Sequence, residues 1–222
     1  MPALAPLTPR LFGIAVLGVA FVALTVAISA GAFAQLDLQV AQAMHDVWVP
    51  QLHGLFQLIA ELGGVEATTI LMFGLSFYLW RAGFGSDALV FIVFLAAQAF
   101  EIFYRYNLHH PGPPAGLHQA DGPSLSQFLS GTAVANSFPS GHMLRTVIVY
   151  GLLAFVVRRL SVSPRVRVLA VVAAVVIIVM MAFDRLYLDV HWESDVLGGI
   201  LLGAIALLAG TVWLDRPTRA GT

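Results

Sequence analysis

Cysteine and lysine are both absent from the 222-residue sequence, and these absences exclude several kinds of site. Without cysteine the chain has no disulfide, no thiolate metal site and no cysteine nucleophile. Without lysine, all 11 basic residues are arginines. The net charge is −1 and there is no basic tail, so nothing in the sequence indicates a nucleic acid as a partner.

Charged residues of either sign are also scarce. They make up 10% of the sequence, against about 25% in soluble domains, whereas apolar residues make up 59% and the mean hydropathy is +0.87. This composition predicts an integral membrane protein that is embedded in the bilayer. The length suits a single domain over residues 1–222.

Long apolar runs predict an all-α bundle of six transmembrane helices, because each crossing requires about 20 residues. The predicted spans are roughly 11–34, 64–80, 88–104, 143–157, 168–183 and 196–214. The second, fourth and fifth are short, so their ends are expected inside the protein or at the membrane interface. Residues 35–62 mix polar and apolar side chains and are predicted to form interfacial helical segments in the first outer loop. In the last span, Gly199 and Gly203 form a small-xxx-small pattern that allows close helix packing.

The arginines divide unevenly between the two faces of this six-span bundle. Three of them, Arg105, Arg145 and Arg185, fall on one face. The others fall on the opposite face, at positions 10, 81, 158, 159, 165, 167, 216 and 219. By the positive-inside rule, the arginine-rich face and both termini are predicted to be cytoplasmic. Polar segments around residues 105–145 and 185–195 are then extracytoplasmic, on the outer side of a cell (inner) membrane.

The N-terminal run has an alternative interpretation. Ala32-Phe33-Ala34 resembles a signal-peptidase site that follows Arg10 and an apolar stretch. That stretch is longer than the roughly 7–15 residues of a signal core, so an uncleaved span is expected. Cleavage would leave the other five spans oriented as before.

Two polar segments on the predicted outer face carry candidate functional residues. The first, SFPSGHMLR at 137–145, places Ser140 and Gly141 at the expected start of the fourth span. Free backbone N–H groups and the positive end of a helix dipole form an anion site there, and glycine allows an oxyanion to approach closely. His142 follows and is suited to protonate a leaving oxygen.

The second segment, RLYLDVHWESD at 185–195, places His191 four residues before Asp195. On one face of a helical turn, the carboxylate would accept a proton from one imidazole nitrogen and leave the other as a nucleophile or base. The planar guanidinium of Arg185 suits phosphate oxygens. Each residue also has a purely structural interpretation: Ser140 as an N-cap, Asp195 as a first-turn acid, His191 as an interfacial side chain, and Arg185 as a snorkelling flank.

The sequence PSGH at 139–142, followed by R-x5-H-x3-D at 185–195, resembles the second and third motifs of the type 2 phosphatidic acid phosphatases, the PAP2 superfamily. The resemblance covers about the last two-thirds of the chain. It implies that His191 forms a phosphohistidine and that Asp195 orients it. By the same resemblance His142 is the general acid, and Arg185, Ser140 and Gly141 hold the phosphate of a lipid substrate. No metal and no cofactor are implied.

The chain departs from the family pattern at two places. The position before Arg185, usually serine, is Asp184, a carboxylate that would repel phosphate unless a cation neutralises it. The first motif, K-x6-R-P, has no lysine to match. Aligning His110-Pro111 with R-P puts Phe103 at the lysine position. Aligning Gly112-Pro113 instead puts Arg105 there and loses the arginine.

Two residues are candidates to replace the missing cations. Arg145 lies one helical turn after the proposed acid, and an arginine within a span usually faces a polar cavity, so it is predicted to bind phosphate. A salt bridge to Asp184 or Glu101 is the alternative. His110 is the second candidate, with a surface loop position as its alternative. Glu101 and Arg105 are four residues apart and are expected to pair.

The predicted function is therefore a metal-independent phosphatase acting on a lipid phosphate or pyrophosphate at the outer leaflet. The isoprenoid pyrophosphate, phosphatidic acid and phosphatidylglycerol phosphate types of substrate all fit. A lipid phosphotransferase would use the same phosphohistidine with an alcohol in place of water. A non-catalytic binding or assembly subunit is the other alternative, given the incomplete first motif. The sequence does not specify the oligomeric state.

Overall fold

The computed structural model describes residues 7–114 and 136–215, which form helices and, within those ranges, no β-strand. The helices are α1 (Leu7–Ser29), α2 (Ala34–Asp46), α3 (His53–Glu61), α4 (Val65–Arg81), α5 (Val90–Asn107), α6 (Gly141–Leu160), α7 (Pro164–Tyr187) and α8 (Glu193–Leu214), with short 3₁₀ turns at Pro50–Leu52 and Asp87–Leu89. The all-α prediction is confirmed. Arg216 and Arg219, used to orient the chain, lie outside the described residues.

Five helical stretches in the described ranges are long and apolar enough to cross a membrane. They are Thr8–Ser29, Pro50–Arg81, Asp87–Asn107, Pro164–Tyr187 and Glu193–Leu214. The chain is therefore a multi-pass membrane protein. α6 corresponds to the remaining predicted span but is not among the five, so the count of six stays a prediction. The apolar run at 168–183 predicts a short helix. α7 instead has 24 residues, because the helix continues through Asp184 and Arg185.

α6 lies at the centre of the bundle and packs along both α7 and α8, while α1 packs along α8. Gly199 and Gly203 allow close helix packing, as their pattern predicts, and the helix they face is α6. A Cβ at Gly199 would lie 2.6 Å from the Ser140 carbonyl oxygen, and one at Gly203 would lie 2.8 Å from Cβ of Val147. Any larger side chain on this face would push α8 away from α6. This close contact brings the starts of the two helices together.

Residues 35–62 are helical over most of their length, as predicted, and they pack on the end of α7. The Tyr187 hydroxyl accepts a hydrogen bond from the Val49 N–H at 2.7 Å. The ring centroids of Phe56 and Tyr187 are 4.1 Å apart. α2 and α3 therefore lie against the same end of the bundle as residues 185–195.

Salt bridges close the opposite end of the bundle. Arg10 at the start of α1 pairs with Asp215 after α8. Arg159 at the end of α6 pairs with Asp87, with 2.8 Å between Nη1 and Oδ2. Both arginines belong to the group predicted to be cytoplasmic, and they lie at one end of the helices. The side of the membrane that this end faces remains a prediction.

Candidate active site

His191 and Asp195 are in contact, as their spacing predicts. Nδ1 of His191 lies 3.3 Å from Oδ2 of Asp195. The same oxygen accepts the backbone N–H of Trp192 at 2.9 Å, which fixes the buried carboxylate at the start of α8. The expected position of His191 in the first helical turn is wrong, because α8 begins only at Glu193. Asp195 thus serves both as a helix-start acid and as the partner of His191.

The starts of α6 and α8 are joined by a backbone hydrogen bond. The N–H of Ser140 donates to the carbonyl oxygen of Asp195 at 3.0 Å. Ser140 occupies the N-cap position of α6, but its side chain makes no capping bond. Its buried hydroxyl has no hydrogen-bond partner among the described residues. The hydroxyl and the first N–H groups of α6, which have no intrahelical acceptor, are therefore available to an anion.

His142, the second residue of α6, lies among charged groups from several elements. Arg185, Arg145, His191 and Arg105 are all near enough to act on it electrostatically. These side chains come from α5, α6, the end of α7 and the loop before α8. The fold therefore brings the two sequence-predicted histidines together with three guanidinium groups.

Arg185 is held by Asp184, the residue before it that departs from the family pattern. Oδ2 of Asp184 accepts hydrogen bonds from Nε of Arg185, at 2.8 Å, and from its Nη2. Both side chains are 0% exposed, so Arg185 is not a snorkelling flank. The negative charge of Asp184 is paired with a guanidinium, so a cation neutralises the carboxylate that would otherwise repel phosphate.

Arg145 is buried beside the start of α6. Its Nε donates to the carbonyl oxygen of Gly63 at 2.9 Å, in the break between α3 and α4. A Cβ on Gly141 would lie 2.9 Å from Nη1 of Arg145 and 2.7 Å from Oε1 of Glu101. A larger residue there would displace the charged ends of Arg145 and Glu101 from the start of α6. Glu101 also pairs with Arg105 at 3.2 Å, as predicted.

His110 is not on a loop surface but partly buried against α8. Its Nε2 lies 3.4 Å from Oδ1 of Asp195 and 3.3 Å from Oγ of Ser194. This nitrogen faces the second oxygen of the carboxylate that holds His191. The predicted contact of His110 with phosphate is untested by this arrangement.

Asp37, on α2, was not predicted from the sequence. This side chain is 3% exposed, and its Oδ1 and Oδ2 accept the N–H and the Oγ–H of Ser194, each at 2.9 Å. A single acid in a mixed polar segment gives no signal that it contacts a residue 157 positions later. The contact joins α2 directly to the start of α8.

Asn136 was also missed, and it fastens the loop after α5. Its side chain accepts the backbone N–H of His110 at 3.1 Å and donates to the carbonyl oxygen of Arg105 at 2.9 Å. The Trp192 indole N–H donates to the carbonyl oxygen of Pro111 at 2.8 Å. These bonds hold residues 105–111 against both motif segments. Within residues 7–114 and 136–215, no three histidine, aspartate or glutamate side chains are placed to hold a metal ion.

The site residues that were predicted from the sequence all fall within one region that matches a known family. The family model of the PAP2 superfamily matches residues 90–219. The chain belongs to the PAP2 superfamily. The match begins at α5, so α1 to α4, including Asp37 and Gly63, lie outside it.

Individual PAP2 relatives cover parts of the chain. Phosphatidylglycerophosphatase B of Bacillus subtilis (strain 168) is 40% identical over 70 residues, 31% of this chain and 34% of the relative. YbjG of Escherichia coli (strain K12), which carries the name of an undecaprenyl-diphosphatase, is 34% identical over 143 residues, 62% of this chain and 64% of the relative. The aligned regions thus span less than two-thirds of either relative.

A solved PAP2 structure has the same fold. It is the crystal structure of a transmembrane PAP2-type phosphatidylglycerolphosphate phosphatase from Bacillus subtilis. The TM-score is 0.80 at 23% identity, with 95% of this chain and 100% of that chain covered. The likeness extends the common fold beyond the region matched by the family model to nearly the whole chain.

Proposed function

We propose that this protein is a membrane phosphatase that removes a phosphoryl group from a lipid phosphate or pyrophosphate through a phosphohistidine on His191. One arrangement carries the proposal. The His191–Asp195 pair lies beside the start of α6, where Ser140 donates its N–H to the backbone of Asp195. A nucleophile held by a carboxylate thus adjoins a helix start that is suited to an anion.

In the first step, Nε2 of His191 attacks phosphorus and the bond to the leaving oxygen breaks. Asp195 accepts the Nδ1–H, so it directs Nε2 toward the substrate and stabilises the positive charge that develops on the ring. His142 donates a proton to the leaving oxygen. The products are a phosphohistidine and the dephosphorylated lipid, or a lipid monophosphate when the substrate is a pyrophosphate.

In the second step, water attacks the phosphohistidine. His142, now neutral, accepts a proton from the water, and the P–N bond breaks to release inorganic phosphate and regenerate His191. Uncatalysed hydrolysis of phosphate monoesters is among the slowest reactions known, and enzymes accelerate it by as much as about 10²¹-fold. A covalent nucleophile, a proton donor and fixed positive charges all contribute to such an acceleration.

The positive charges come from arginines in three helices. Arg185, Arg145 and Arg105 all act electrostatically on His142. Arg185 and Arg145 are buried, so a phosphate among them would be screened little by solvent. Together with the Ser140 hydroxyl and the Gly141 N–H, they would stabilise the charge that spreads over the phosphoryl oxygens in the transition state.

The surroundings of the site support a lipid substrate. Apolar side chains cover the outside of the helices near this end of the bundle, for example Phe100, Phe103 and Phe183, each more than 40% exposed. A headgroup bound at the helix ends would leave its hydrocarbon tail in the bilayer beside these surfaces. The names of the two relatives specify glycerophospholipid and polyprenyl substrates. The arginine distribution favours the extracytoplasmic leaflet, with both termini in the cytoplasm.

The proposal is tested by measuring phosphate release from purified protein in detergent. The panel comprises phosphatidylglycerol phosphate, phosphatidic acid and a polyprenyl pyrophosphate, each with and without EDTA. We expect wild-type turnover of at least one lipid that EDTA does not inhibit. The lipid product is identified in the same reactions, because transfer of the phosphoryl group to an alcohol would indicate a phosphotransferase.

The nucleophile is tested by trapping the intermediate. Wild-type protein should retain phosphate that is labile in acid and stable in base, and His191→Ala should retain none and show no turnover. His109→Ala is the matched control, since this neighbouring histidine is exposed. Full activity in His191→Ala would exclude the phosphohistidine mechanism.

A further inference from the structure

The second carboxylate oxygen of Asp195, Oδ1, lies opposite the side chain of His110. Oδ1 is fully buried and makes no hydrogen bond within the described residues. Nε2 of His110 lies 3.4 Å from it. A buried carboxylate oxygen without a donor is costly, so a donor at this position would stabilise the carboxylate where it stands. His110 is that group if its Nε2 carries a hydrogen.

The surrounding hydrogen bonds decide which nitrogen of His110 carries the hydrogen. The Ser194 hydroxyl donates its single hydrogen to Oδ2 of Asp37. Asp37 is a carboxylate that accepts from both the N–H and the O–H of Ser194, which fixes the direction of that bond. Toward Nε2 of His110, 3.3 Å away, Oγ of Ser194 can therefore only accept. The network thus assigns the hydrogen to Nε2, the ring nitrogen that faces both Ser194 and Asp195.

We propose that His110 is a positioning residue that donates its Nε2–H to Oδ1 of Asp195, and that Ser194 and Asp37 hold it in the required tautomer. Oδ2 of Asp195 receives His191 and the Trp192 N–H, and Oδ1 receives His110. The carboxylate is then fixed at both oxygens, so the ring of His191 keeps one orientation. The proposal rests on the proposed function and adds three positioning residues to it.

This arrangement makes a first-outer-loop residue part of the support of the nucleophile. Asp37 lies on α2, outside the region that matches the family model, and His110 lies where one alignment of the first motif expects the arginine. A residue at that position would be expected to bind phosphate directly. The distances instead place Nε2 of His110 against Asp195 and Ser194. Positioning and phosphate binding have different kinetic consequences, so the two roles can be separated.

The test compares His110→Ala with His110→Gln, whose side-chain amide can present an N–H near the position of Nε2. Phosphate release, the rate of phosphoenzyme formation and inhibition by inorganic phosphate are measured for each. We expect His110→Ala to lower kcat by about 10- to 100-fold, the usual effect of losing a residue that orients a catalytic side chain. KM and the inhibition constant of phosphate should change by less than about threefold, and His110→Gln should recover most of kcat.

Asp37→Asn tests the far end of the network without changing its size. The amide oxygen can still accept the Ser194 N–H, but the amide nitrogen has to donate to Oγ of Ser194, where the carboxylate accepted. The Ser194 hydroxyl is then freed to donate toward His110, and the tautomer of His110 is no longer fixed. We expect kcat to fall with KM nearly unchanged. This variant and His110→Gln also decide the question if His110→Ala does not fold. His109→Ala, at an exposed neighbouring position, should retain wild-type kcat.

The outcomes separate this proposal from the proposed function. If wild-type protein releases no phosphate from any lipid, the proposed function fails. If wild type is active and both His110→Ala and Asp37→Asn keep kcat within about twofold, only the positioning proposal is overturned. A raised KM with weaker phosphate inhibition and unchanged kcat in His110→Ala would show a phosphate ligand and would also overturn it.

Discussion

Replacing Arg145 tests whether the missing first-motif charge is supplied from α6. Arg145 is 5% exposed, donates from Nε to the Gly63 carbonyl oxygen at 2.9 Å, and places Nη1 2.9 Å from where a Cβ on Gly141 would lie. The guanidinium thus joins the α3–α4 break to the proposed phosphate site. Arg145→Gln keeps an N–H that can reach Gly63 but removes the charge. Arg145→Lys keeps the charge but cannot make both contacts.

The expected magnitude follows from the role of a fixed donor in the transition state. Losing one such group costs roughly 2–4 kcal/mol of transition-state stabilisation, which corresponds to about a 30- to 900-fold loss of kcat/KM in Arg145→Gln. Arg145→Lys should lose less, because its ammonium still faces the developing charge. Glu101 keeps its partner Arg105 in both variants, so the folded yield in detergent should stay near wild type.

The assay is steady-state phosphate release with the best lipid from the panel, together with a thermal unfolding curve for each variant. Arg158→Gln is the matched control, because Arg158 is an exposed arginine in the last turn of the same helix. It should keep wild-type kcat/KM. If Arg145→Gln is well folded and equally active, Arg145 is structural and the second cation of the site has to come from another residue.

Two further predictions concern stability and topology. Asp184→Ala leaves the buried Arg185 without the carboxylate that holds it. The free energy of unfolding of this variant should fall by about 3–5 kcal/mol, which is seen as a lower thermal midpoint in detergent. Asp46→Ala, at an exposed position, is its control, and equal midpoints for the two would contradict the proposed pairing. In the cysteine-free wild-type background, Gln51→Cys should react with an impermeant thiol reagent in intact cells and Val162→Cys, 91% exposed between α6 and α7, should not. The reverse labelling would place the site in the cytoplasm.

Several features of the fold could be predicted from the sequence because they depend on neighbouring residues. The apolar runs predict the helices, since backbone groups in a membrane must be satisfied within the segment. Their ends are less predictable. α7 continues through Asp184 and Arg185 because the two charges pair with each other, and an apolar-run criterion ends the helix before them.

In the candidate site, too, contacts between residues close in the sequence were predicted, whereas contacts between distant helices were not. The four-residue spacing of His191 and Asp195 is local, and their contact was predicted. The packing of Gly199 was also predicted, because a small residue on a helix face allows close approach. Gly199 lies against Ser140 and so joins the two motif segments. This contact could not be predicted, because it depends on which helix lies opposite α8. Spacing within a motif therefore identifies the reactive groups but not the residues that hold them.

The supporting residues were decided by tertiary structure alone. Arg145 reaches a carbonyl oxygen 82 residues earlier, and Asp37 reaches Ser194 157 residues later. Such contacts depend on how far each helix is rotated and shifted against its neighbours, which is set by the sum of many apolar contacts rather than by any pattern along the chain. The sequence by itself determined that this is a membrane-embedded helical protein with two motif histidines and an acid four residues after the second of them. Only the packing of α2, α5, α6 and α8 decided that Asp195 has a histidine at each of its two oxygens.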